Sequence, residues 1–357
     1  MHDLQTLRKL ITTLLTHCGV SEQHANITAD VLIAAELRDI PSHGLLRLAD
    51  YARMVLNGRI NARPEPAIIH ESPSTLLLDG DNGLGPVVSV KAMELAIEKA
   101  NQAGTAWVAV QNSNHFGIAG YYAMLTLPHD MIGIAMTNAN PLVAPTFSAQ
   151  GLLGTNPIAI AIPAGKEPPM VVDFATASIA RGKVDLLHKK GLSIAEGFLQ
   201  DQDGMSSKDP GILTKGGAIL PLGSTREYGS HKGYCLAAAV DVLSAVLSGA
   251  NFGPFVPPSV AYLPLRDHLP GKGTGHFFGA MRIDAFRTAD SFKAYMDTWI
   301  RQFRNAKPAA GHSKVIIPGD PEREAEERNK TSGVSVHEKV MEQLQPLFRE
   351  LGIEPVI

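Results

Sequence analysis

Residues 131–176 contain three short apolar runs, "MIGIAMTNA" (131–139), "PIAIAIPA" (157–164) and "PMVVDFAT" (169–176). Runs of this length are typical of buried strands. Their number and close spacing differ from the regular alternation of strands and helices that builds a parallel sheet. We therefore predict an α/β chain of the α+β type, with one domain built on a largely antiparallel or mixed sheet.

The segments before this sheet carry helical patterns. One helix is predicted to end near Cys18, and a second opens at Ser21, whose hydroxyl can cap its first turn. The second helix must stop near Asp39, because Pro41 disfavours helical geometry in the residue before it. A third helical segment, "LLRLADYARMVLNG", covers 45–58. The short stretch after Pro41 is therefore a junction between two helices.

Helical and strand patterns also continue on either side of the three runs. A helix at 87–104 leads into the strand "TAWVAVQNS" (105–113), and a strand-like run lies at 276–286. A second helical block covers about 178–249. It ends with "KGYCLAAAVDVLSAVLSG" (232–249), whose apolar residues around nearly the whole circumference predict a helix buried on most sides.

Towards the end of the chain we predict a helix at 291–305, a charged segment "GDPEREAEERNK" (319–330) and a last helix at 335–352. A chain of 357 residues is long enough for two or three packed domains. We predict a helical domain from 1–65 and 322–357, a sheet domain from 66–177 and 255–321, and a helical domain from 178–254.

Composition limits the kinds of partner. Charged residues make up 19% of the chain and the formal net charge is −3, with no long basic run, so neither nucleic acid nor an anionic membrane is expected as a partner. No stretch reaches the roughly 18 uninterrupted apolar residues of a membrane span, and the N-terminus lacks the pattern of a signal peptide. Two cysteines, Cys18 and Cys235, are too few for a disulfide framework and favour a reducing, cytoplasmic location.

Several common catalytic motifs are absent. No G-x-G-x-x-G follows a strand, since "GDNGLG" (80–85) and "GKGTG" (271–275) have other spacings, and there is no P-loop. The chain also lacks H-E-x-x-H, a cysteine pair and G-x-S-x-G. The sequence therefore supports neither a Rossmann dinucleotide site nor serine hydrolysis, and no metal site is expected.

What remains is a set of polar residues in loops beside apolar runs. "PSHGLLRL" (41–48) places His43 four residues before Arg47, which is either a helix cap or a site that binds an anion and transfers a proton. "NSNHFGIAG" places His115 after a strand, and "GSHKGYCL" places His231 and Lys232 at the start of a helix, where free amides favour an anion. Each residue alone has a structural explanation, as a hydrogen-bonded histidine or a solvated cation. Their recurrence at strand and loop junctions favours a functional site.

The chain also resembles a known family. "SHGLLR", "NSNHFGIAGYYA", "TNANPLVAP", "GTNPIAIAIP", "VVDFATASIARGKV", "LPLG", "HKGYCLAAAVDVLSAVLSGA" and "IPGDPE" are similar, in order and wording, to the malate/L-lactate dehydrogenase family. That family lacks a Rossmann fold and includes ureidoglycolate, sulfolactate, diketogulonate and piperideine-2-carboxylate enzymes. The resemblance spans nearly the whole chain, from about 7 to 353. It implies NAD or NADP bound on the sheet domain, and a homodimer with the active site in a cleft between domains.

The resemblance also implies roles for individual residues. Ser42, His43, Arg47 and His115 correspond to catalytic positions, and Arg47, Thr155, Arg181 and Gly182 to substrate-binding positions. Cofactor contacts correspond to His115, Phe116, Gly117, Ile118, Ala119, Asp173, Phe174, Ala175, His231, Lys232, Gly319 and Asp320. From the residue alone, Asp173 could equally cap the helix that follows it. Some reductases of the family carry an acidic residue after the Arg-Gly pair, where this chain has Lys183.

These expectations combine into a nicotinamide-dependent oxidoreductase that interconverts a small 2-hydroxy acid and its 2-oxo acid. Arg47 suits the carboxylate because its planar guanidinium can form two hydrogen bonds with it. A histidine suits proton transfer, and we predict that His43 donates the proton in reduction while His115 positions the carbonyl and the nicotinamide. The alternatives are exchanged roles for these histidines, a reductase of cyclic 2-imino acids, and a non-catalytic protein that binds small carboxylates.

Overall fold

A computed structural model describes residues 1–258 and 268–354. The α-helices in this part of the chain are α1 (Leu4–His17), α2 (Glu22–Leu37), α3 (Leu48–Leu56), α4 (Gly85–Ala103), α5 (Ala119–Met124), α6 (Arg181–Lys189), α7 (Ser230–Asp241), α8 (Ala289–Arg304), α9 (Asp320–Ser332) and α10 (Glu338–Leu351). The strands are β1 (Ala67–Glu71), β2 (Thr75–Asp79), β3 (Thr105–Ser113), β4 (Met131–Thr137), β5 (Ile158–Ile162), β6 (Met170–Phe174), β7 (Leu199–Gln200), β8 (Ser206–Ser207), β9 (Ala218–Ile219) and β10 (Thr274–Arg282).

The main sheet has seven strands in the order β1-β2-β3-β10-β4-β5-β6. Only β2 and β3 pair in parallel, and the other neighbouring strands pair antiparallel. The three apolar runs are β4, β5 and β6, which lie side by side at one edge. Alternate residues of β4 are buried, and a Cβ at Gly133 would lie 2.2 Å from the carbonyl oxygen of Ala123, so α5 packs directly on this strand. The predicted mixed, largely antiparallel sheet is confirmed.

Most predicted helices are present. The hydroxyl of Ser21 accepts a hydrogen bond from the amide of His24, as expected of an N-cap. The helix α2 ends at Leu37, and Asp39 takes a positive φ of 57° before Pro41. The third helix begins at Leu48, three residues later than predicted, because residues 41–47 form two successive 3₁₀ turns.

The prediction of one helical block over 178–249 is wrong in its middle part. Between α6 and α7 the short strands β7, β8 and β9 form a second, three-stranded sheet. These strands have only two residues each, which is too few for a recognisable alternation of apolar and polar side chains. The edge strand β1, also missed, is exposed at every position and shows no apolar pattern.

The helix at 232–249 is not buried on most sides in a single chain. It forms α7 and then a π-helical turn, Val242–Val246. Val242, Val246 and Leu247 are 51%, 57% and 59% exposed, although the opposite face is buried. The apolar circumference therefore has one face packed within the chain and one face that the chain itself leaves uncovered.

The charged segment at 319–330 is a helix rather than a linker. Pro321 occupies the first turn of α9, where proline is favoured, and Lys330 pairs with Glu326 one turn earlier. Ala325 and Asn329 are buried, and Asn329 donates to the carbonyl oxygen of Leu37 at the end of α2. Local ion pairs and this contact stabilise a helix that has no apolar stripe.

Buried apolar side chains form three separate clusters. One joins α1, α2, α3 and α10, a second lies between the main sheet and α4 and α5, and a third lies around α6 and the small sheet. The clusters support the three predicted domains, whose boundaries stay a prediction, and residues 259–267 and 355–357 of those ranges lie outside the described residues. No helix in the described ranges is long and apolar enough to cross a membrane.

Candidate active site

A side chain of α2 binds the backbone of the loop that carries His43 and Arg47. The carboxylate of Glu36 accepts a hydrogen bond of 2.7 Å from the amide of Leu45. Gly44 leaves room for this carboxylate, because a Cβ there would lie 2.2 Å from its Oε1 atom. Burial raises the pKa of Glu36 to about 7. The loop geometry thus depends on a buried acidic group that the sequence motifs did not reveal.

Two histidines from distant parts of the chain stack in this site. The rings of His43 and His115 have centroids 5.4 Å apart and planes 24° apart. Ser42 Oγ lies 2.8 Å from Nδ1 of His43. His115 follows directly after β3, and the predicted catalytic residues Ser42, His43 and His115 are therefore neighbours in the fold.

Two further residues join them, Arg47 from the 3₁₀ turn before α3 and Tyr51 from α3 itself. Tyr51, 1% exposed, places its hydroxyl 2.7 Å from Nδ1 of His115. Arg47 donates from Nε to the carbonyl oxygen of Ser42 at 2.8 Å and from Nη1 to Asp50 at 3.2 Å. Sequence reasoning missed Asp50 and Tyr51, although a spacing of three and four residues from Arg47 places both on the same helical face.

Both histidines are held neutral in the free protein. Burial, and then the charge of Arg47, lowers the pKa of His43 to about 4. Burial lowers the pKa of His115 well below its usual value, with smaller effects from His43, Arg47 and His276. Both residues nevertheless keep some solvent exposure. A side chain that is largely desolvated but keeps some solvent exposure is typical of a residue that lines a cleft.

The start of α6 reaches the same site. A Cβ at Gly182 would lie 3.7 Å from Cβ of Ser42, so Arg181 and Gly182 are next to the serine and histidine pair. Arg181 donates from Nε to Asp185 one turn later. Lys183 is exposed and forms no ion pair with any residue in the described ranges. The predicted substrate-binding pair 181–182 is thus adjacent to the predicted catalytic residues.

Asp173 lies near the end of β6 and contacts the helix α5, which begins four residues after His115. Its Oδ2 atom accepts a hydrogen bond of 2.8 Å from the amide of Gly120 in the first turn of α5, so it caps α5 and not the helix that follows it in sequence. Burial of the carboxyl group raises its pKa to about 6, although part of the residue faces solvent. The segment His115–Ala119 and the segment Asp173–Ala175 therefore meet at this hydrogen bond.

The remaining predicted cofactor residues differ in how accessible they are. Phe116 is buried and stacks on His276 with centroids 4.8 Å apart. Gly319 packs on β6, where its Cβ would lie 3.0 Å from the carbonyl oxygen of Val171. The buried carboxylate of Asp320 already accepts hydrogen bonds from Ile317, Arg304 and Arg323. Any contact of Phe116 or Asp320 with a cofactor would have to use the backbone.

Thr155, His231 and Lys232 lie in a second group of contacts. The carbonyl oxygen of Thr155 accepts from the amide of Thr176 at 2.9 Å, and the carbonyl oxygen of Thr176 accepts from Leu222. Leu222 packs against Gly233 in the first turn of α7, where a Cβ would lie 2.2 Å from the carbonyl oxygen of Leu222. These contacts connect Thr155, a predicted substrate-binding residue, with the start of α7. No contact between described residues joins His231 or Lys232 directly to the two stacked histidines.

Comparisons with known proteins now decide the family. A family model described as malate/L-lactate dehydrogenase matches residues 2–345. The malate dehydrogenase of Pyrococcus abyssi is 40% identical over 349 residues, which cover 98% of this chain and 94% of that protein. The L-sulfolactate dehydrogenase of Methanocaldococcus jannaschii is 41% identical over 358 residues, covering 97% of this chain and 96% of that protein.

Solved structures agree with these sequences. The sulfolactate dehydrogenase from Methanocaldococcus jannaschii superposes with a TM-score of 0.90 at 39% identity, covering 99% of this chain and 98% of that one. The malate dehydrogenase from Pyrococcus horikoshii OT3 gives 0.89 at 35% identity, covering 99% and 95%. The chain belongs to the malate/L-lactate dehydrogenase family. It is a nicotinamide-dependent oxidoreductase that interconverts a 2-hydroxy acid and a 2-oxo acid.

The dehydrogenase has residues whose chemistry fits the cofactor. The N-cap of α7 is Gly229, which has no side chain to satisfy the first amides of the helix. Arg226, His231 and Lys232 surround this helix start, and Nη1 of Arg226 lies 2.8 Å from Nδ1 of His231. Desolvation, followed by the charges of Arg226 and Lys232, lowers the pKa of His231. The amides of Ser230 and Lys232 already donate to the carbonyl oxygens of Thr225 and Gly229. The positive end of the helix dipole and the two cations, Arg226 and Lys232, nevertheless suit the diphosphate of a dinucleotide.

Proposed function

We propose that this dehydrogenase reduces a 2-oxo acid that carries a second anionic group, and oxidises the corresponding 2-hydroxy acid. The observation that carries the proposal is the grouping of Arg47, His43 and His115, together with Gly182, whose Cβ would lie 3.7 Å from Ser42 and which directly precedes the exposed Lys183. Arg47 Nη2 has no partner among the described residues and can bind the carboxylate next to the reacting carbon. Lys183, where some relatives carry an acid, supplies the charge for the second anionic group.

The names of the relatives support this substrate class. The proteins from Pyrococcus abyssi and Methanocaldococcus jannaschii are named for malate and for L-sulfolactate, and each of these acids has a carboxylate and a second anionic group. A dianion gains from two separate cations, because each charge-assisted hydrogen bond contributes about 1.5–3 kcal/mol when it is desolvated. We therefore infer oxaloacetate-like or sulfopyruvate-like acids as the substrate class.

We assign the chemical steps as follows. The bound nicotinamide supplies or accepts the hydride. Arg47 orients the carboxylate, His43 gives a proton to the carbonyl oxygen during reduction, and His115 holds that oxygen. The low pKa of His43 in the free protein rises when a bound dianion offsets the charge of Arg47, because an opposite charge favours the protonated imidazole. His231 and Lys232 at α7 would hold the cofactor phosphates.

One experiment tests the substrate class. Oxaloacetate, sulfopyruvate, pyruvate and a cyclic 2-imino acid are each assayed with NADH and with NADPH by the loss of nicotinamide absorbance. We expect the two dianions to be reduced with the highest kcat/KM, and the comparison also gives the cofactor preference. Reduction of the cyclic imine alone would instead support an imino acid reductase, and binding without turnover of any compound would support a carboxylate-binding protein.

A variant of Lys183 sharpens the same assay. Lys183→Met should lower kcat/KM for the dianions by roughly tenfold while that for pyruvate changes little, because only the second anionic group loses its partner. Lys189→Met, at the other end of the exposed helix α6, is the matched control. Equal loss on dianions and pyruvate would remove Lys183 from substrate selection.

We further propose a homodimer that works in the cytoplasm. The exposed apolar face of α7 and its π-helical turn supports the dimer, since a contiguous apolar helix face is typical of subunit contacts. The free thiols of Cys18 and Cys235 support a reducing compartment. Sedimentation of the purified protein tests the first proposal, and cell fractionation tests the second.

A further inference from the structure

Nδ1 of His115 is surrounded by hydrogen-bond donors. The hydroxyl of Tyr51 lies 2.7 Å from it and 3.3 Å from the carbonyl oxygen of His115, and the backbone amide of Gly117 points at Nδ1 from 3.4 Å. The single proton of the hydroxyl serves the shorter contact, because 3.3 Å is longer than an ordinary O–H···O hydrogen bond. A backbone amide can only donate, and a neutral imidazole carries one N–H and one acceptor nitrogen. Burial raises the pKa of Tyr51 above its usual value, so this hydroxyl keeps its proton. Nδ1 is therefore the acceptor, and the proton of His115 is on Nε2.

This arrangement gives the two stacked rings different capacities. We propose that Tyr51 is a positioning residue that fixes His115 as the neutral Nε2–H form, a hydrogen-bond donor to the substrate carbonyl, and so leaves proton transfer to His43. The proposal rests on the proposed oxo acid chemistry for its consequence, but the hydrogen bond itself does not. A neutral imidazole can polarise a carbonyl oxygen by donating, and it does not give up its last proton near neutral pH.

His43 has no such restriction. Its Nδ1 lies 2.8 Å from Ser42 Oγ, and a hydroxyl can either donate to that nitrogen or accept from it. When His43 is protonated, Nδ1–H donates to Ser42 and Nε2–H remains for the substrate. During reduction the carbonyl carbon gains the hydride, the carbonyl oxygen takes the proton from Nε2 of His43, and His43 returns to its neutral form. Oxidation reverses each of these transfers.

The stacking makes this division necessary. With ring centroids 5.4 Å apart, positive charge on one imidazole disfavours it on the other. A fixed neutral His115 therefore avoids competition for the proton. Tyr51 achieves this from within the same helix that begins beside Arg47, so substrate binding and the protonation pattern of His115 depend on one element.

The test is nitrogen NMR of the histidine rings in the full-length enzyme without substrate, so that failure of the proposed substrate class cannot affect it. We expect His115 to carry its proton on Nε2 in the wild-type protein, and Tyr51→Phe to show a measurable fraction protonated on Nδ1. Tyr122→Phe is the matched control. It removes another buried hydroxyl, which donates to the carbonyl oxygen of Phe116 and touches neither imidazole, and it should leave the spectrum of His115 unchanged.

Kinetics with the best oxo acid provide the second measurement. Tyr51→Phe should lower kcat by roughly tenfold, as expected for one lost buried hydrogen bond, with little change in KM for the cofactor. The pH limb of the rate should persist in Tyr51→Phe and in His115→Gln, and vanish in His43→Gln. A wild-type His115 protonated on Nδ1, or a limb that vanishes in His115→Gln and persists in His43→Gln, would overturn the proposal.

Discussion

The guanidinium of Arg47 already forms two hydrogen bonds within the protein before a substrate binds. Its Nε and Nη1 atoms donate to Ser42 and Asp50, which fixes the plane of the guanidinium and leaves one edge for a carboxylate. A lysine has a single ammonium group on a flexible chain, and it cannot hold Ser42 and bind a carboxylate at two points. Charge alone is therefore insufficient at this position.

The first prediction follows from that geometry. Arg47→Lys should reduce kcat/KM for the oxo acid by roughly tenfold to a hundredfold, which corresponds to the loss of about 1.5–3 kcal/mol of charge-assisted hydrogen bonding. Steady-state kinetics measure it. Arg53→Lys, in the same helix and paired with Glu350 away from the histidines, is the control and should retain activity. Full activity in Arg47→Lys would exclude a two-point contact with the carboxylate.

The second prediction concerns His276, which is fully buried between the hydroxyls of Thr137 and Ser113, both 2.7 Å away. Burial lowers its pKa to about 3, so between about pH 6.5 and pH 3 the unfolded chain takes up a proton at this residue and the folded chain does not. His276 therefore makes stability fall as pH decreases through this window, by up to about 1.4 kcal/mol per pH unit.

Urea unfolding at several pH values from about 7 to 5 measures this slope. His276→Gln should unfold more easily at neutral pH and should show a shallower loss of stability on acidification than the wild-type protein. His312→Gln is the control, because that side chain is exposed in a loop. An unchanged slope in His276→Gln would mean that His276 does not titrate in this way.

At the residue scale, the sequence allowed us to predict which residues form the site, but not which contacts they make. Ser42, His43, Arg47 and His115 were identified through a family resemblance, and the structure places them together. Glu36 and Tyr51 were not predicted as site residues, because in the sequence each looks like an ordinary member of a helical pattern. Their roles depend on a loop that only folding brings close to them.

At the scale of elements, the pair of 3₁₀ turns before α3 depends on the size of one residue. Gly44 has a φ of −95°, which any residue can adopt, so its reason for being glycine is the space taken by Glu36. The turns that carry His43 and Arg47 follow this backbone directly. A side chain at Gly44 would push the turns and Glu36 apart.

The third prediction is that Gly44→Ala destabilises the protein by about 1–3 kcal/mol through overpacking and lowers kcat. Glu36→Gln, which keeps an oxygen for the amide of Leu45, should be close to wild type in stability near neutral pH. The double variant Glu36→Ala/Gly44→Ala should regain part of the stability, since the clash is gone. Thermal unfolding and kinetics measure all three, and additive losses in the double variant would contradict this account.

The fourth prediction concerns the start of α7. If Lys232 and the positive end of the α7 dipole hold the cofactor phosphates, Lys232→Ala should weaken cofactor binding by roughly tenfold and leave KM for the oxo acid nearly unchanged. Fluorescence titration with each nicotinamide cofactor measures the affinity. Lys208→Ala, an exposed lysine paired with Glu196, is the control. Equal affinity in Lys232→Ala and the wild-type protein would remove Lys232 from the cofactor site.

Elements with a strong apolar period were predictable, and those held by other forces were not. The strands β3 to β6 and the helices α1, α2 and α4 appear where periodicity and punctuating Gly or Pro residues indicated. The helix α9 was missed because ion pairs and two buried side chains replace an apolar stripe. The small sheet was missed because its strands are too short to show any alternation.

At the scale of the molecule, the exposed apolar face at the end of α7 is typical of a surface that another subunit covers. Val242 and Val246 are exposed in the π-helical turn that continues α7, Leu247 is exposed directly after it, and the exposed Lys232 lies at the start of α7. Covering exposed apolar side chains with a second subunit contributes roughly 25 cal/mol of favourable free energy for each Å² removed from water. A dimer formed through this face would place the proposed cofactor-binding residues at the edge of the interface, so that dimerisation and cofactor binding should assist each other.

The last prediction tests that arrangement. Val242→Asp introduces a charge into the proposed contact, and an unpaired charge that becomes buried costs several kcal/mol. We therefore expect the variant to sediment as a monomer and the wild-type protein to sediment as the proposed dimer. Leu192→Asp is the matched control, because Leu192 is 52% exposed against 51% for Val242 and lies outside residues 230–247, which form α7, the π-helical turn and the residue after it. If the coupling holds, added NADH or NADPH should raise the dimer fraction of the wild-type protein. A dimeric Val242→Asp variant would place the subunit contact on another surface.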